Sequence, residues 1–538
     1  MKGRLTSAST VWTGMSRREL MKLGLAAGAI ALSARMGNAA GEQAGGVCNI
    51  RLSADPSSFD SIGNTASNVV TVLSPCYSAL VMHDQENPGQ IIGDLARDWT
   101  ISDDGRQYTF RLYPEVRFHD GMPLTSADVK FTFDRIRQPP EGVTSSRKNL
   151  FGRVTDIDTP DPQTVVFTLE RPAAVFLDLL ASAWMMVLPK HVFDAGGDLS
   201  DSIIGSGPFR FVEYNRGVSI KLERNPDYHI AGRPWLEGLN YFVVPDDGTS
   251  MANLVNGQLD VYSEFSGDQL QSATKAYGDR IRILRATSLS GDGISLNSRR
   301  APFDNPRLRE AFSLALDREA AIRVAQRGLG TVGGFMPPGP WSLPPERLAD
   351  ISGYGGEIED RRARARKLFA EAGQTTLAVT MTARKGVSTH EARAIFVKDQ
   401  LAQVGVAVTV DLRESADYFE RINTNDFQIA TTQLGGLAND PDLLFGEYHT
   451  SFGSTNYSGV SDPDIDRLFT EQSAEQDASR RKQLVDEMNM RAIGQFGFIL
   501  LFWKEDFFAH SARLRNVFLH QQADNNRRMA DVWISPAS

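Results

Sequence analysis

Two segments place groups capable of recognition chemistry where a ligand could meet them. Arg384 closes the stretch LAVTMTAR, and its guanidinium is a planar fork of donors suited to a carboxylate or a phosphate. The stretch LGGLANDPD (434–442) brings Asp440 and Asp442, carboxylates able to pair with a cation. The catalytic patterns fail. GLGTVG (328–333) has the glycine spacing of a dinucleotide fingerprint, but a helical stretch, REAAIRVAQR, precedes it where a strand is required. It therefore reads as a loop. The eight histidines are scattered without metal-ligand spacing, and His119 in RFHDG reads as a turn residue. No G-x-S-x-G elbow is present. Acidic residues are plentiful, and nothing singles out a catalytic pair of them. The sequence thus implies no cofactor, no metal and no catalytic residue.

The elements that must position Arg384 and the 434–442 stretch are legible. LAVTMTA alternates apolar residues at Leu377, Val379 and Met381, a strand signal. EARAIFVKDQLAQVG carries a helical stripe at Ala394, Val397, Leu401 and Val404, and VAVTVDL alternates again from Val406 to Leu412. Strand, helix and strand with short links predict a βαβ unit with parallel strands. A helix over about 416–423 and a strand near 427–433 extend it. In open α/β sheets ligands sit beyond the carboxyl ends of the strands, and both segments lie at such ends. Earlier in the chain, QYTFRLYPEVRF and VSIKLE alternate as strands. Thr125-Ser-Ala-Asp128 has capping-box spacing, and Asn305-Pro306 reads as an N-cap with proline at the first helical position. The fold class is α/β throughout.

The N-terminus fixes an expected compartment. SRRELMKLGLAAGAIALSA (16–34) sets Arg17-Arg18, with four residues between, ahead of twelve small or apolar residues, Leu23 to Ala34. That run is too short for a membrane span, which needs about 20, and Gly24 and Gly28 weaken a core helix. It reads as a twin-arginine export signal over residues 1–40, cleaved near Ala39 or Ala40. Cys48 follows Val47 rather than a small residue, so it does not read as a lipidation site. Removing residues 1–40 takes six of the 57 basic and one of the 66 acidic residues, leaving a net charge of −14. Such acidity does not suit nucleic acid. Cys48 and Cys76 enter an oxidising compartment either as one disulfide or as two buried thiols; spacing does not decide between them.

Four blocks in order carry a resemblance. LARDWTISDDGRQYTFRLYPEVRFHDGMPLTSADVKFTFDRI (95–136), GSGPFRFVEYNRGVSIKLERNPDYH (205–229), LVNGQLDVY (254–262) and ISLNSRRAPFDNPRLREAFSLALDRE (294–319) resemble the family-5 extracellular solute-binding proteins of ABC transporters. Members bind dipeptides, oligopeptides, nickel, glutathione or oligosaccharides. The resemblance implies a two-lobed periplasmic binding protein fold, type II and cluster C-like, with an extra lobe-I subdomain and a hinge. It implies lobe I at 48–291 plus 504–538, with a subdomain at about 88–190, and lobe II at 292–503. Crossings are expected near Gly291–Leu296 and Leu500–Glu505. It further implies a periplasmic monomer without enzymatic activity that hands a small solute to the transmembrane subunits of an ABC permease.

The resemblance also marks a departure. In dipeptide and oligopeptide members a Trp-x-x-Asp precedes the acidic-Pro pair, and that Asp holds the ligand's ammonium group. Here the matching positions before Asp440-Pro441 are Leu434 and Leu437. A leucine cannot partner a buried ammonium, which is costly unpaired. The arginine with which the dipeptide members bind the peptide carboxylate falls, counting back from Val404-Gly405, on Arg384. The expected ligand-lining set is therefore Arg384, Leu434, Gly435, Leu437 and Asp440, with Ser58 and Phe59 from the N-terminal part. The expected ligand is peptide-like or an anionic, peptide- or opine-like compound. An exported hydrolase, or a binder of an oligosaccharide or a metal chelate, is the alternative.

Overall fold

The structure is a computed structural model that describes residues 45–535, apart from residues 88, 264–266, 375, 437 and 522–527. The export-signal segment lies outside these residues. Two long antiparallel strands, Ile281–Leu296 and Phe498–Ser511, form the spine. Their pairing runs Ile281↔Ser511 to Thr287↔Glu505, breaks, and resumes at Gly291↔Trp503. On one side of the break, the Phe498–Ser511 strand meets Val261–Tyr262, which pairs with Val47–Leu52; beyond lie Gly238–Val243, Ser219–Arg224 and Phe209–Asn215. On the other side, Ile281–Leu296 meets Ile429–Leu434, followed by Leu377–Arg384 and Val406–Arg413. One continuous sheet therefore serves two bodies.

The buried apolar residues divide in the same way. One core joins Cys48, Leu52, Leu239 and Phe508 with Tyr108, Phe110 and Phe167 of a separate four-stranded sheet. That small sheet, Ala96–Ile101, Gln107–Leu112, Thr164–Leu169 and Val154–Asp161 in spatial order, is therefore built into lobe I. Two further cores take residues from Ile294 to Trp503 and make lobe II. The spine strands are the covalent and hydrogen-bonded passage between the lobes.

Local expectations hold where short-range physics governs. The βαβ unit is Leu377–Arg384, Ser388–Ala402 and Val406–Arg413, with parallel register Leu377↔Val406, and Met381 also faces Ile429 in parallel. Leu377, Val379 and Met381 point inward while Ala378 and Thr380 are exposed. Each such side chain fully buried contributes about 1.5–3 kcal/mol. The helix Ser126–Arg137 opens with the Thr125 backbone N–H donating to Asp128 Oδ2 at 2.8 Å. Asn305 caps Pro306–Ala315, accepting from the Arg307 backbone at 3.0 Å. GLGTVG differs from a plain loop: Gly330–Thr331 pairs with Lys504 and Trp503 as a short strand, a long-range contact that local pattern does not encode. Cys48 and Cys76 are both free, buried thiols, and burial pushes both pKa values up.

The GSGPF block has a steric reason. A Cβ on Gly205 would stand 1.9 Å from the Cys76 carbonyl oxygen, and one on Gly207 2.5 Å from the Cys76 and Tyr77 backbone. Gly207 also donates its N–H to the Cys76 carbonyl at 2.9 Å. Backbone lies against backbone, and no side chain can yield. Gly207→Ala is expected to lower stability by about 3 kcal/mol, the upper end of overpacking costs. Urea unfolding of the variant measures it; a loss below about 1 kcal/mol would show that the 75–77 turn can move aside.

Candidate functional site

Arg384 is the last residue of its strand and is partly buried. Its Nε donates to Ser415 Oγ at 2.9 Å, and its guanidinium carbon stands 5.1 Å from the Phe419 ring centroid. Both partners belong to the helix Ser415–Asn423, which follows the neighbouring strand. The side chain is thus held by a hydroxyl and a ring. No carboxylate pairs with it among the described residues.

Leu434 ends the adjacent parallel strand, is 1% exposed, and packs in the core containing Phe335, Met336, Leu500 and Trp503. The crevice beside it, lined by Thr432, Leu434, Tyr448, His449 and Phe498, holds about 10 Å³, room for one water at most. Gly435 follows, partly buried. Leu437 lies outside the described residues. Arg384, Leu434 and Gly435 therefore share one edge of the lobe-II sheet.

Asp440 is 3% exposed and caps the helix Pro441–Tyr448, accepting from the Asp442 backbone at 2.8 Å. Arg481 grips it with two bonds, Nη1 to Oδ2 at 2.8 Å and Nη2 to Oδ1 at 2.9 Å. Burial pushes the Asp440 carboxyl up to about 6, against the opposing pull of Arg481. Arg481 itself is held above its usual range because Asp440, Asp442 and Asp178 together outweigh its own burial. The bidentate geometry favours the ionised pair. Asp440 thus faces an arginine of its own lobe rather than open space.

Ser58 and Phe59 sit on lobe I. Phe59 is buried, donates its N–H to the Ser200 carbonyl at 2.8 Å, and packs 5.6 Å from Tyr214. It lines a cavity of about 350 Å³ with Asp60, Arg135, Phe193 and Asp198. Ser58 Oγ accepts from the Asp60 backbone at 3.4 Å. Every residue lining this cavity comes from lobe I, so these two candidates are not brought into contact with Arg384 or Leu434.

Behind the Arg384 edge lies a charged set that sequence reading passed over. Asp292, on the spine beside the register break, ion-pairs with Arg393 and stands 3.2 Å from Lys504 Nζ. Gln433 Nε2 also donates to it at 2.8 Å. Burial raises the Asp292 carboxyl, but Arg393 and Lys504 together hold it below the usual range. His390 meets Thr431 Oγ1 at 2.8 Å, and burial, aided by Arg393, pushes its pKa down to about 4. It is neutral at pH 7 and adds no charge beside Arg384. Arg481 was missed as well, although a signal existed. Leu484, Val485, Met488 and Ala492 mark the inward stripe of the helix Ala478–Gly494, and Arg481 lies one turn earlier on that stripe.

Comparison with known proteins adds to this geometry. The family model for bacterial extracellular solute-binding proteins, family 5 Middle, matches residues 90–456. The glutathione-binding protein GsiB of Pectobacterium atrosepticum is 32% identical over 342 residues, covering 63% of this chain and 64% of that protein. The match thus spans somewhat under two thirds of that relative's length. The probable D,D-dipeptide-binding periplasmic protein DdpA of Escherichia coli K12 is 25% identical over 468 residues, covering 85% and 88%. Among solved structures, the PBP AgaA in complex with agropinic acid, from A. tumefaciens R10, matches with TM-score 0.72 and 26% identity over 92% of this chain and 99% of that one. HbpA2 from Haemophilus parasuis matches with TM-score 0.79 over 91% and 99%, at 22% identity, a likeness of fold.

Proposed function

The chain belongs to the bacterial extracellular solute-binding proteins, family 5, and from that premise we propose that it is the binding component of an ABC importer. It captures a small solute between its lobes and delivers it to a membrane permease. Lobe I comprises 48–291 and 504–538, with the subdomain at about 88–190, and lobe II comprises 292–503. The protein acts as a monomer in the periplasm after removal of the twin-arginine leader, and it binds without converting its ligand.

One observation carries the reading. Separate cores on the two sides are joined by two spine strands whose pairing breaks between Thr287 and Gly291, an arrangement suited to hinge closure. The ligand class follows from Arg384, a guanidinium without a carboxylate partner among the described residues at the carboxyl edge of lobe II. Its partner is an anionic group of a peptide- or opine-like solute. The named ligands of the similar proteins, glutathione, a D,D-dipeptide and agropinic acid, support this class.

Freshly purified protein should release a carboxylate-bearing small molecule on denaturation, identified by mass spectrometry. Titration calorimetry with glutathione, D-alanyl-D-alanine and agropinic acid then tests the class, and small-angle scattering should show a smaller radius of gyration at saturation. Tight binding of neutral oligosaccharides alone would overturn the ligand class. Conversion of a bound solute to product would overturn the binding role.

A further inference from the structure

The lobes also meet away from the spine. Arg153 stands in the turn immediately before the Val154–Asp161 strand of the small lobe-I sheet, with its side chain 23% exposed. Its Nη1 donates to Asp442 Oδ2 at 3.0 Å and to Ser473 Oγ at 3.1 Å. Asp442 stands at the start of helix Pro441–Tyr448 and Ser473 near the end of helix Pro463–Ala474, both in lobe II. A backbone bond runs beside them, Ala174 N–H to the Ser473 carbonyl at 3.2 Å.

The lobe-II side of this contact is built in advance. The Asp442 side chain is 4% exposed and accepts from Gln472 Nε2 and Ser473 Oγ. Arg481 lies 3.7 Å away but spends its fork on Asp440, and its guanidinium covers the Trp341 ring at 4.6 Å. A second relation of opposite sign crosses the interface: Asp178, on the lobe-I helix Phe176–Leu180, lies in the field of Arg481. Lobe I thus offers a cation to a lobe-II anion and an anion to a lobe-II cation.

We propose that this contact is a clasp: Arg153 is a positioning residue that favours the closed arrangement of the lobes through Asp442 and Ser473, and so slows ligand escape without touching the ligand. It rests on the capture reading above. Geometry supports it because the partners belong to separate lobes, so any rotation about the spine break that draws the small lobe-I sheet away from helix Pro441–Tyr448 parts them, and the arrangement that keeps the contact is the one it favours. A hydrogen bond at 3.0 Å does not survive a separation of about 1 Å. A ligand-independent closed-state contact raises the closed fraction before any ligand arrives. Its removal raises the dissociation rate more than it lowers the association rate.

The test uses the full chain without ligand, so it reads the clasp whether or not the proposed ligand class holds. Fluorescent labels on Asp201→Cys and Lys367→Cys, one on each lobe, report lobe separation by energy transfer; Cys48 and Cys76 are buried and stay unlabelled. In Arg153→Gln the closed-to-open ratio should fall about fivefold to tenfold, with an unchanged far-UV spectrum. Arg153→Lys, which keeps the charge but not the fork, should recover part of the shift. Raising salt from about 0.1 M to about 1 M shortens the screening length from about 10 Å to about 3 Å but screens a partly buried pair less than an exposed one, so it should shift the parent part of the way towards open and leave Arg153→Gln unchanged. Where agropinic acid binds the parent, its dissociation should quicken by the same factor in Arg153→Gln. Identical label distances in parent and Arg153→Gln at both salt concentrations would overturn the clasp.

Discussion

Asp440→Ala should lose about 3–5 kcal/mol of folding stability, the cost of stranding one half of a buried ion pair. Arg481 is 6% exposed and places both ends of its fork on Asp440. Without that carboxylate, the guanidinium keeps Asp442 at 3.7 Å, the oxygens of Gln472, the face of Trp341 and the more distant field of Asp178. The helix Pro441–Tyr448 also loses its cap, a further loss of about 1 kcal/mol. Asp440→Asn separates the two contributions, because an amide oxygen can still cap while the charge is gone. Urea unfolding should rank the proteins parent, Asn, Ala. The double variant Asp440→Leu/Arg481→Met should recover much of the loss, since a well-packed apolar pair can replace a buried ionic one. If Asp440→Ala instead kept full stability and lost only ligand affinity, Asp440 would be a ligand-facing acid and the pairing with Arg481 incidental.

That contrast shows where local pattern carries meaning and where it stops. The βαβ unit, the Thr125–Asp128 box and the Asn305–Pro306 start are set by periods and spacings of a few residues, and all are found in the structure. Asp440-Pro441 has the same N-cap and first-turn spacing as Asn305-Pro306, so its capping role was also legible. Its ion pair was not. Arg481 is 41 positions away, and in a charged stretch such as ASRRKQ only the helical phase of Leu484 and Met488 marks it as inward. Arg153 and Asp442 are separated by 289 positions, and no local signal connects the turn before a strand of the small sheet with the first turn of a helix in lobe II. Leu434 is a similar case. Alternation reads it as apolar, but whether it lines a ligand or a core depends on what folds over it. In the structure Phe335, Met336 and Trp503 share its core.

Arg384→Ala is the variant expected to act on binding rather than on folding. The side chain stands at the strand end with one hydroxyl partner and one ring, and no buried carboxylate depends on it among the described residues. Its removal strands no charge, so unfolding of the ligand-free protein should shift by about 0.5 kcal/mol or less, as for ordinary partly exposed positions. With ligand the account changes. A charge-assisted hydrogen bond from a guanidinium to a carboxylate contributes about 1.5–3 kcal/mol, so affinity should fall roughly tenfold to a hundredfold. Arg384→Lys should sit between, because an ammonium keeps the charge but not the paired donors. The loss should also be selective: an amide-capped analogue of the ligand, with no anionic group, should bind parent and Arg384→Ala alike. Calorimetry on the three proteins with the ligand and its amide decides the matter. Equal losses for both compounds would mean that Arg384 shapes the lobe-II edge through Ser415 and Phe419 without meeting the anion, and unchanged affinity for both would remove it from the site.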